Sequence, residues 1–206
     1  MGLKRDLCVM QSNGGVITAN VARHLPVRTV MSGPSGGVVG GTHLANQIGL
    51  ENVLTVDMGG TSTDIGVISH GRAMTVDVSE VDRWPIMAPM IEILAIGAGG
   101  GSIGWLDAGG GLRVGPQSAG ANPGPVCYDL GGEAPTLTDA LVVLGYINPN
   151  YLVGGSLTLK AEKSIKVIEE QVARPLQKSL FEAAYGVVEI AISNMTRAVK
   201  AVTTYR

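Results

Sequence analysis

The alternation of apolar and polar positions predicts short strands in the first half of the chain. Residues 5–12 alternate imperfectly and stop at a glycine turn, as a strand entering a turn does. Residues 53–57 have the continuous apolar character of a buried strand, and a second apolar run follows at 65–68. Residues 91–96 predict another strand. The pattern around residue 60 is therefore a strand, a glycine turn and a second strand.

Helical periodicity predicts the remaining elements, most of them in the second half. The expected helices lie near residues 36–49, 138–147, 160–174 and 179–205. Thr138 and Ser179 are the expected N-caps, and Pro175 should end the third helix at the residue before it. Gly40 and Gly41 destabilise the first helix, so its backbone is expected to pack closely against a neighbour. Together these elements predict an α/β fold with a mixed sheet flanked by helices.

Composition narrows the class of protein. The 206 residues predict one large domain or two small ones, and 30 glycines indicate many tight turns. A net charge of −2 and 4% aromatic residues argue against a nucleic-acid partner. No apolar run long enough to span a membrane and no signal-peptide pattern occur. Cys8 and Cys127 are too far apart for a C-x-x-C site, so a reduced, cytoplasmic setting is expected.

The most informative stretch for chemistry runs from Asp57 to Asp64 and reads Asp-Met-Gly-Gly-Thr-Ser-Thr-Asp. Asp57, at the end of a buried strand, could reach Mg²⁺ or its waters, while Gly59 and Gly60 let the backbone approach phosphate oxygens. The hydroxyls that could act as donors belong to Thr61, Ser62 and Thr63. The sequence of a P-loop is absent. An ordinary hairpin with a Gly-Gly turn explains the same spacing equally well.

Two other stretches of small residues could contact a ligand. Ser32 and Gly33 begin a loop that leads into a helix N-terminus, which suits an anion but also suits an ordinary helix start. Residues 97–104 satisfy G-x-G-x-x-G after a strand, but neither the following helix nor the acidic residue of a dinucleotide site is present. A tight backbone crossing or a ligand-lining loop is expected instead. The candidate residues of this loop are Gly97, Gly99 and Gly100.

The other chemically versatile side chains are assigned structural roles. Cys127 is interpreted as a small buried residue, because a nucleophile needs a lowered pKa and a partner base. His24, His43 and His70 are scattered without the spacing of metal ligands. Asp139 directly follows the expected N-cap, where the helix dipole is a sufficient reason for an acidic residue.

Seven stretches, taken in order, resemble the hydantoinase A / 5-oxoprolinase family, which includes N-methylhydantoinase, 5-oxoprolinase and subunits of acetone-type carboxylases. They are residues 10–15, 32–37, 57–64, 97–103, 114–121, 123–128 and 135–140. The likeness covers about residues 5–206 and resembles the central portion of the family. Two differences stand out: Leu94 occupies the place of an expected histidine, and Asp129 that of an expected glycine.

The resemblance implies an actin-like, ribonuclease H-like ATPase fold that holds Mg-ATP in a cleft between two similar domains. It implies hydrolysis of a cyclic amide, such as hydantoin or 5-oxoproline, through a phosphorylated intermediate. The stretch from Asp57 to Asp64 resembles the second phosphate loop, with Asp57 as the Mg²⁺ ligand and both carboxylates as catalytic candidates. Two alternatives stay open: a subunit of an ATP-dependent ketone carboxylase, and a nucleotide-gated actin-like structural module.

The resemblance also bears on domain organisation and partners. Residues 1–206 are expected to be an internal fragment, with a core rich in strands and glycine loops at about 5–135 and a mainly helical part at 136–206. The expected partners are a small cyclic amide, the remaining domains of the parent chain and a second, B-type subunit. The fragment alone is expected to be inactive, because the first phosphate loop of the family lies outside it.

Overall fold

The computed structural model describes residues 6–81, 83–155 and 157–204. Its contacts divide the chain into two compact units. The first unit contains the described residues up to Asp57 together with Asp64–Leu94, and the second contains Met58–Thr63 with the described residues from Ala95 onward. The chain thus leaves the first unit after Asp57, returns at Asp64 and leaves again after Leu94. Strands and helices occur together, which confirms a mixed α/β fold.

The first unit combines short strands with one long helix. The elements that belong to it wholly or in part are β1 (Cys8–Met10), β2 (Val16–Thr18), α1 (Ala19–His24), a 3-10 helix (Pro26–Thr29), α2 (Ser32–Gln47), β3 (Val53–Met58), β4 (Thr63–Ser69), β5 (Arg72–Ala73), β6 (Thr75–Val76), β7 (Ser79–Val81), β8 (Trp84–Ile86), β9 (Met90–Ile91) and β10 (Ile93–Ile96). The largest sheet has the order β10-β4-β3, with β5 antiparallel to β4. The antiparallel pairs β1-β2, β6-β9 and β7-β8 complete the pairing. Val38, Ile68 and Ile91 form the buried core.

The second unit places a hairpin beside a group of helices. Its elements are β11 (Ser102–Leu106), β12 (Leu112–Ser118), a 3-10 helix (Val126–Tyr128), α3 (Leu137–Val143), a 3-10 turn (Val153–Gly155), α4 (Ala161–Ile168), a π-helical turn (Glu169–Ala173), α5 (Arg174–Leu176) and α6 (Leu180–Thr204). The buried face of α6 includes Ala184 and Val187, which share a core with Leu137 and Ile168. Among the described residues, no helix has the length and apolar character needed to cross a membrane.

Helix α2 packs close to strands β3 and β4 because glycines at the contact points have no side chains. A Cβ added at Gly41 would lie 2.5 Å from Cγ2 of Thr55 on β3. A Cβ at Gly66 on β4 would collide with the side chain of Val38 on α2. The predicted close approach is therefore confirmed at Gly41, whereas a Cβ at Gly40 would meet no atom within 4 Å.

Two helix starts differ from the prediction. Helix α2 begins at Ser32 instead of near residue 36, directly after Met31 in the left-handed conformation with φ 61°. The N-cap of α3 is Thr136, so the assignment of Thr138 is wrong. The Asp139 N–H donates to Oγ1 of Thr136 at 3.3 Å, and the Asp139 carboxylate accepts the Thr136 N–H at 3.0 Å. This reciprocal capping box needs a side-chain acceptor three positions after the cap, and Asp139 provides one for Thr136, which explains the earlier start.

The helix that contains Pro175 does not stop before it, so the predicted end at Arg174 is wrong. The π-helical turn immediately precedes this point, and the Arg174 N–H donates to the carbonyl of Glu169, five residues back. A wider turn relieves the clash that a proline ring makes with the preceding turn of an α-helix. The backbone leaves the helix at Gln177, which has φ 54°.

Two further predictions had opposite outcomes. The single strand expected at residues 91–96 is two strands, because β9 pairs with β6 whereas β10 pairs with β4. The N-cap at Ser179 is confirmed, since its hydroxyl oxygen accepts the Glu182 N–H at 3.3 Å and Oε2 of Glu182 accepts the Ser179 N–H at 3.0 Å.

Candidate functional site

Asp57 and Asp64 line one cavity of the first unit, with a volume of about 190 Å³. Asp57 lies near the end of β3 and Asp64 near the start of β4. Burial raises the pKa of Asp64, and the negative charge of Asp57 raises it further. Two carboxylates that repel each other across one cavity are a suitable setting for a divalent cation, which would neutralise both.

The two carboxylates of this pair are ligands of the kind that Mg²⁺ accepts. In the part of the chain that the structure describes, no group of three or more histidine, cysteine, aspartate or glutamate side chains could hold a metal ion. Mg²⁺ commonly takes one or two carboxylates and completes its coordination with water and phosphate oxygens. Asp57 and Asp64 are therefore compatible with a Mg²⁺ site of that kind.

Helix α2 forms a wall of the same cavity through Pro34 and Gly37. A Cβ at Gly37 would lie 3.9 Å from Oδ2 of Asp57. Ser32 and Gly33, the predicted anion-contacting residues, form the first turn of α2 and are not among the residues that line this cavity. Ser32 and Gly33 are thus part of the helix and not of a loop before it, and the residues of α2 that line the cavity come just after them.

In the second unit, the backbone of Gly59 and Gly60 is held by the next glycine-rich loop. The N–H of Gly100 donates to the Gly59 carbonyl at 3.0 Å, and the N–H of Gly101 donates to the Gly60 carbonyl at 2.6 Å. A Cβ at Gly99 would lie 2.8 Å from the Gly59 carbonyl oxygen, and one at Gly101 would lie 2.9 Å from that of Gly60. Only glycine permits this approach, so the predicted tight backbone crossing is confirmed.

The turn itself leaves part of its backbone open. The Gly59 N–H donates to the Ser62 carbonyl at 2.9 Å, which closes the turn. A Cβ at Gly60 would meet no atom within 4 Å, so this glycine is not required by packing against the protein. The Thr63 hydroxyl is buried and donates to the Ala98 carbonyl at 2.5 Å, whereas Thr61 is exposed. Of the three candidate hydroxyls, Thr61 is therefore accessible to a ligand and Thr63 is occupied within the fold.

Gly59, Gly60 and Thr61 line a cavity of about 500 Å³ in the second unit. Its other described lining residues are Met58, Gly100, Gly101, Gly120, Ala121, Pro125, Tyr128 and Thr138. None of the described lining side chains is charged, and those of Thr61, Tyr128 and Thr138 carry hydroxyl groups. Backbone N–H groups and neutral hydroxyls can bind an anion through hydrogen bonds. The sequence did not predict Tyr128 and Thr138 as residues of a ligand site, although both lie in stretches that support the family resemblance.

Asp139 fixes the segments that carry Tyr128 and Thr138. It is fully buried. Its carboxylate accepts hydrogen bonds from the N–H groups of Val126, Cys127 and Thr136 and from the hydroxyls of Thr136 and Ser164. The helix dipole is therefore not a sufficient reason for Asp139, and that interpretation is wrong. One carboxylate joins the 3-10 helix at Val126–Tyr128, the start of α3 and helix α4.

Cys127 lies within this network and is confirmed as a small buried residue. Burial raises the pKa of its thiol to about 12, and the charge of Asp139 contributes to the increase. The thiol is consequently protonated at neutral pH, which is the opposite of what a nucleophilic cysteine needs.

The remaining predicted ligand-contacting glycines, Gly97, Gly99 and Gly100, lie in different surroundings. Gly100 lines the same cavity as Gly59, while Gly99 supports the Gly59 backbone without being part of that lining. Gly97 lines a different cavity of the second unit, together with Trp105 and Arg197.

Comparison with known proteins identifies relatives along the whole chain. The family model described as "Hydantoinase/oxoprolinase" matches residues 1–206. The caprolactamase alpha subunit of Pseudomonas jessenii is 42% identical over 206 residues, which is 100% of this chain and 30% of that protein. The acetophenone carboxylase gamma subunit of Aromatoleum aromaticum is 41% identical over 194 residues, which is 93% of this chain and 26% of that protein.

Two solved structures share the fold. A nucleotide-free acetone carboxylase, from a study of ATP-dependent acetone carboxylation, matches with a TM-score of 0.88 and 35% identity over 98% of this chain and 28% of that chain. The ATP-dependent caprolactamase of Pseudomonas jessenii matches with a TM-score of 0.81 and 40% identity over 97% of this chain and 29% of that chain. The chain thus spans less than a third of the length of these relatives.

Proposed function

This chain belongs to the hydantoinase/oxoprolinase family, and we propose that the protein of which it forms part is an ATP-dependent enzyme that opens a cyclic amide. The substrate class is a ring with an internal amide bond, such as hydantoin, 5-oxoproline or a lactam. The 42% identity to a caprolactamase subunit over the whole chain supports this class of reaction.

The observation that carries the proposal is the backbone arrangement at Gly59 and Gly60. Two hydrogen bonds and two close glycine approaches hold these peptides in place, yet the Gly60 backbone is open and lines a large cavity without charged side chains. A preorganised, uncharged cradle of peptide and hydroxyl groups suits phosphate oxygens whose charge is balanced by a metal ion.

In this proposal the residues from Asp57 to Asp64 bind different parts of Mg-ATP. Gly59, Gly60 and Thr61 contact phosphate oxygens, while Asp57 holds Mg²⁺ directly or through water and Asp64 is a second carboxylate available to it. When bound, Mg-ATP supplies a phosphoryl group that converts an amide oxygen into a leaving group. Asp57 positions the metal, and the fixed glycine backbone keeps the phosphates from shifting, since such transfers depend on positioning and electrostatics.

We further propose that the chain is part of an actin-like ATPase fold, completed by the remaining domains of the parent chain. The relatives are named as alpha, beta and gamma subunits, which supports a second subunit as a partner. The likeness to ATP-dependent enzymes at TM-scores of 0.81 and 0.88 supports the use of ATP.

A second candidate function is the subunit of an ATP-dependent ketone carboxylase. The specific observations in its favour are the TM-score of 0.88 to acetone carboxylase and the 41% identity to an acetophenone carboxylase subunit. The proposed nucleotide contacts are the same in both candidates, so they differ in the molecule that accepts the phosphoryl group.

The test is made in the intact parent protein with its partner subunit. Asp57→Asn keeps the shape of the side chain but removes its charge, and we expect a loss of about 100-fold or more in ATP turnover. Asp77→Asn, at an exposed position of the first unit, is the matched control and should retain turnover. Full activity of Asp57→Asn would show that the glycine turn is structural.

The same assay identifies the substrate. ATP turnover is measured with hydantoin, 5-oxoproline and caprolactam, and separately with acetone or acetophenone plus bicarbonate. Stimulation by the cyclic amides supports the hydrolase, whereas stimulation only by a ketone with bicarbonate replaces it with the carboxylase.

A further inference from the structure

The second unit contains another cavity, of about 610 Å³, between the β11-β12 hairpin and helix α6. The hairpin contributes Trp105, Leu112 and Pro116, and the helix contributes Ile190, Asn194 and Arg197. This volume lies within the range of small-molecule sites. The cavity shares none of its described lining residues with the one at Gly59 and Gly60.

The charge of this cavity is positive. Its described lining residues include Arg113 and Arg197 but no acidic side chain. Nε of Arg113 donates to Asp107 at 2.7 Å, so its charge is already balanced. The Arg197 guanidinium donates to Oδ1 of Asn194 and makes no ion pair with any residue that the structure describes. Arg197 therefore offers charge and donors to a ligand.

The groups around Arg197 are held by hydrogen bonds to the hairpin. Nδ2 of Asn194 donates to the Val114 carbonyl at 3.3 Å, which leaves its Oδ1 facing the Arg197 guanidinium. Nε1 of Trp105 donates to the Gly115 carbonyl at 2.9 Å, which fixes the indole ring at the cavity wall. Both a cationic group and an aromatic surface are thus positioned on a strand pair and a long helix instead of on mobile loops.

We infer that this cavity binds a small organic carboxylate, with the carboxylate on Arg197 and the apolar part against Trp105 and Ile190. A guanidinium has five N–H donors in a planar arrangement that matches the two oxygens of a carboxylate. The apolar walls favour a ligand with a hydrocarbon or aromatic body over a small inorganic anion. This inference does not depend on the proposed ATP-dependent reaction, because it involves a different cavity.

The test uses isothermal titration calorimetry of the intact parent protein. The protein is titrated with benzoate and with benzamide, a neutral compound of nearly the same shape. We expect a saturable change with benzoate and binding at least about tenfold weaker with benzamide, because a charge-assisted pair is lost.

Three variants of the parent protein locate the contact. Arg197→Met should weaken benzoate binding by about tenfold or more and make it equal to benzamide binding, and Arg197→Lys should fall between the two. Arg174→Met removes an exposed arginine of α5 outside the cavity and should bind benzoate as before. Arg197 is exposed, so its variants should fold, and circular dichroism verifies their helix content.

Three results would overturn the inference. The first is equal affinity for benzoate and benzamide, and the second is unchanged benzoate binding in Arg197→Met. The third is the lack of any saturable change with benzoate at concentrations that would fill a millimolar site.

Discussion

The stability of the folded chain should depend on pH through the titration of Asp64, and a single substitution can test this. Burial and the charge of Asp57 raise its pKa, so the folded chain binds this proton more tightly than the unfolded chain does. The stability contributed by the protonated form is therefore complete below the ordinary pKa of aspartate and is lost as the pH rises through the raised pKa. Asp64→Asn is neutral at every pH and should raise the Tm at pH 7 but not at about pH 3.

The two carboxylates supply an internal control for this prediction. Asp57→Asn removes one of the causes of the shift, so the pKa of Asp64, followed by carboxyl NMR, should decrease towards its ordinary value. Asp77→Asn at an exposed position should leave it unchanged. If Asp64→Asn changed the Tm equally at both pH values, the effect would come from shape instead of charge.

Helix α2 contains two adjacent glycines that should respond oppositely to the same substitution. Gly40→Ala places a methyl group where no atom lies within 4 Å, so we expect a gain of about 0.5–1 kcal/mol from the higher helix propensity of alanine. Gly41→Ala places it 2.5 Å from Cγ2 of Thr55 on β3, so we expect a loss of about 1–3 kcal/mol from overpacking. Urea unfolding of both variants measures the difference.

A second substitution tests the cause of that loss. Thr55→Ser removes the methyl group that Gly41→Ala would meet, so the double variant should be more stable than the sum of the single effects predicts. Additive effects of Gly41→Ala and Thr55→Ser would contradict the contact between α2 and β3 as the reason for the glycine.

At the scale of the molecule, each unit has its own buried core, and Asp139 joins three segments of the second. Asp139→Ala leaves the buried N–H groups of Val126, Cys127 and Thr136 without their acceptor. We expect a loss of about 3 kcal/mol or more in the free energy of unfolding, since each unsatisfied buried group costs about 1–3 kcal/mol. Urea unfolding of the variant, followed by circular dichroism, measures the loss.

Ser164→Ala is the matched control for Asp139. It removes the 2.7 Å hydrogen bond from the Ser164 hydroxyl to the Asp139 carboxylate, which keeps its other donors, and should cost about 1 kcal/mol. Equal losses in Ser164→Ala and Asp139→Ala would show that the carboxylate is not the centre of the network.

The sequence by itself determined the features whose causes lie within a few residues. The cap at Ser179 and the buried face of α6 follow from local hydrogen bonding and helical periodicity. The Gly-Gly turn between β3 and β4, with Asp57 near the end of a strand, likewise follows from a short apolar run and its turn residues. These forces act over one or two turns of backbone, so a single stretch of sequence contains the information.

Only the tertiary structure decided which distant groups meet. Gly99, Gly100 and Gly101 support a turn forty residues earlier in the chain, and Asp139 accepts a hydrogen bond from Ser164, which lies in another helix. The division of residues 91–96 between two partner strands also depends on neighbours that no local pattern specifies. Buried peptide and carboxylate groups must find partners wherever the fold brings them together, and that pairing is a property of the packed chain.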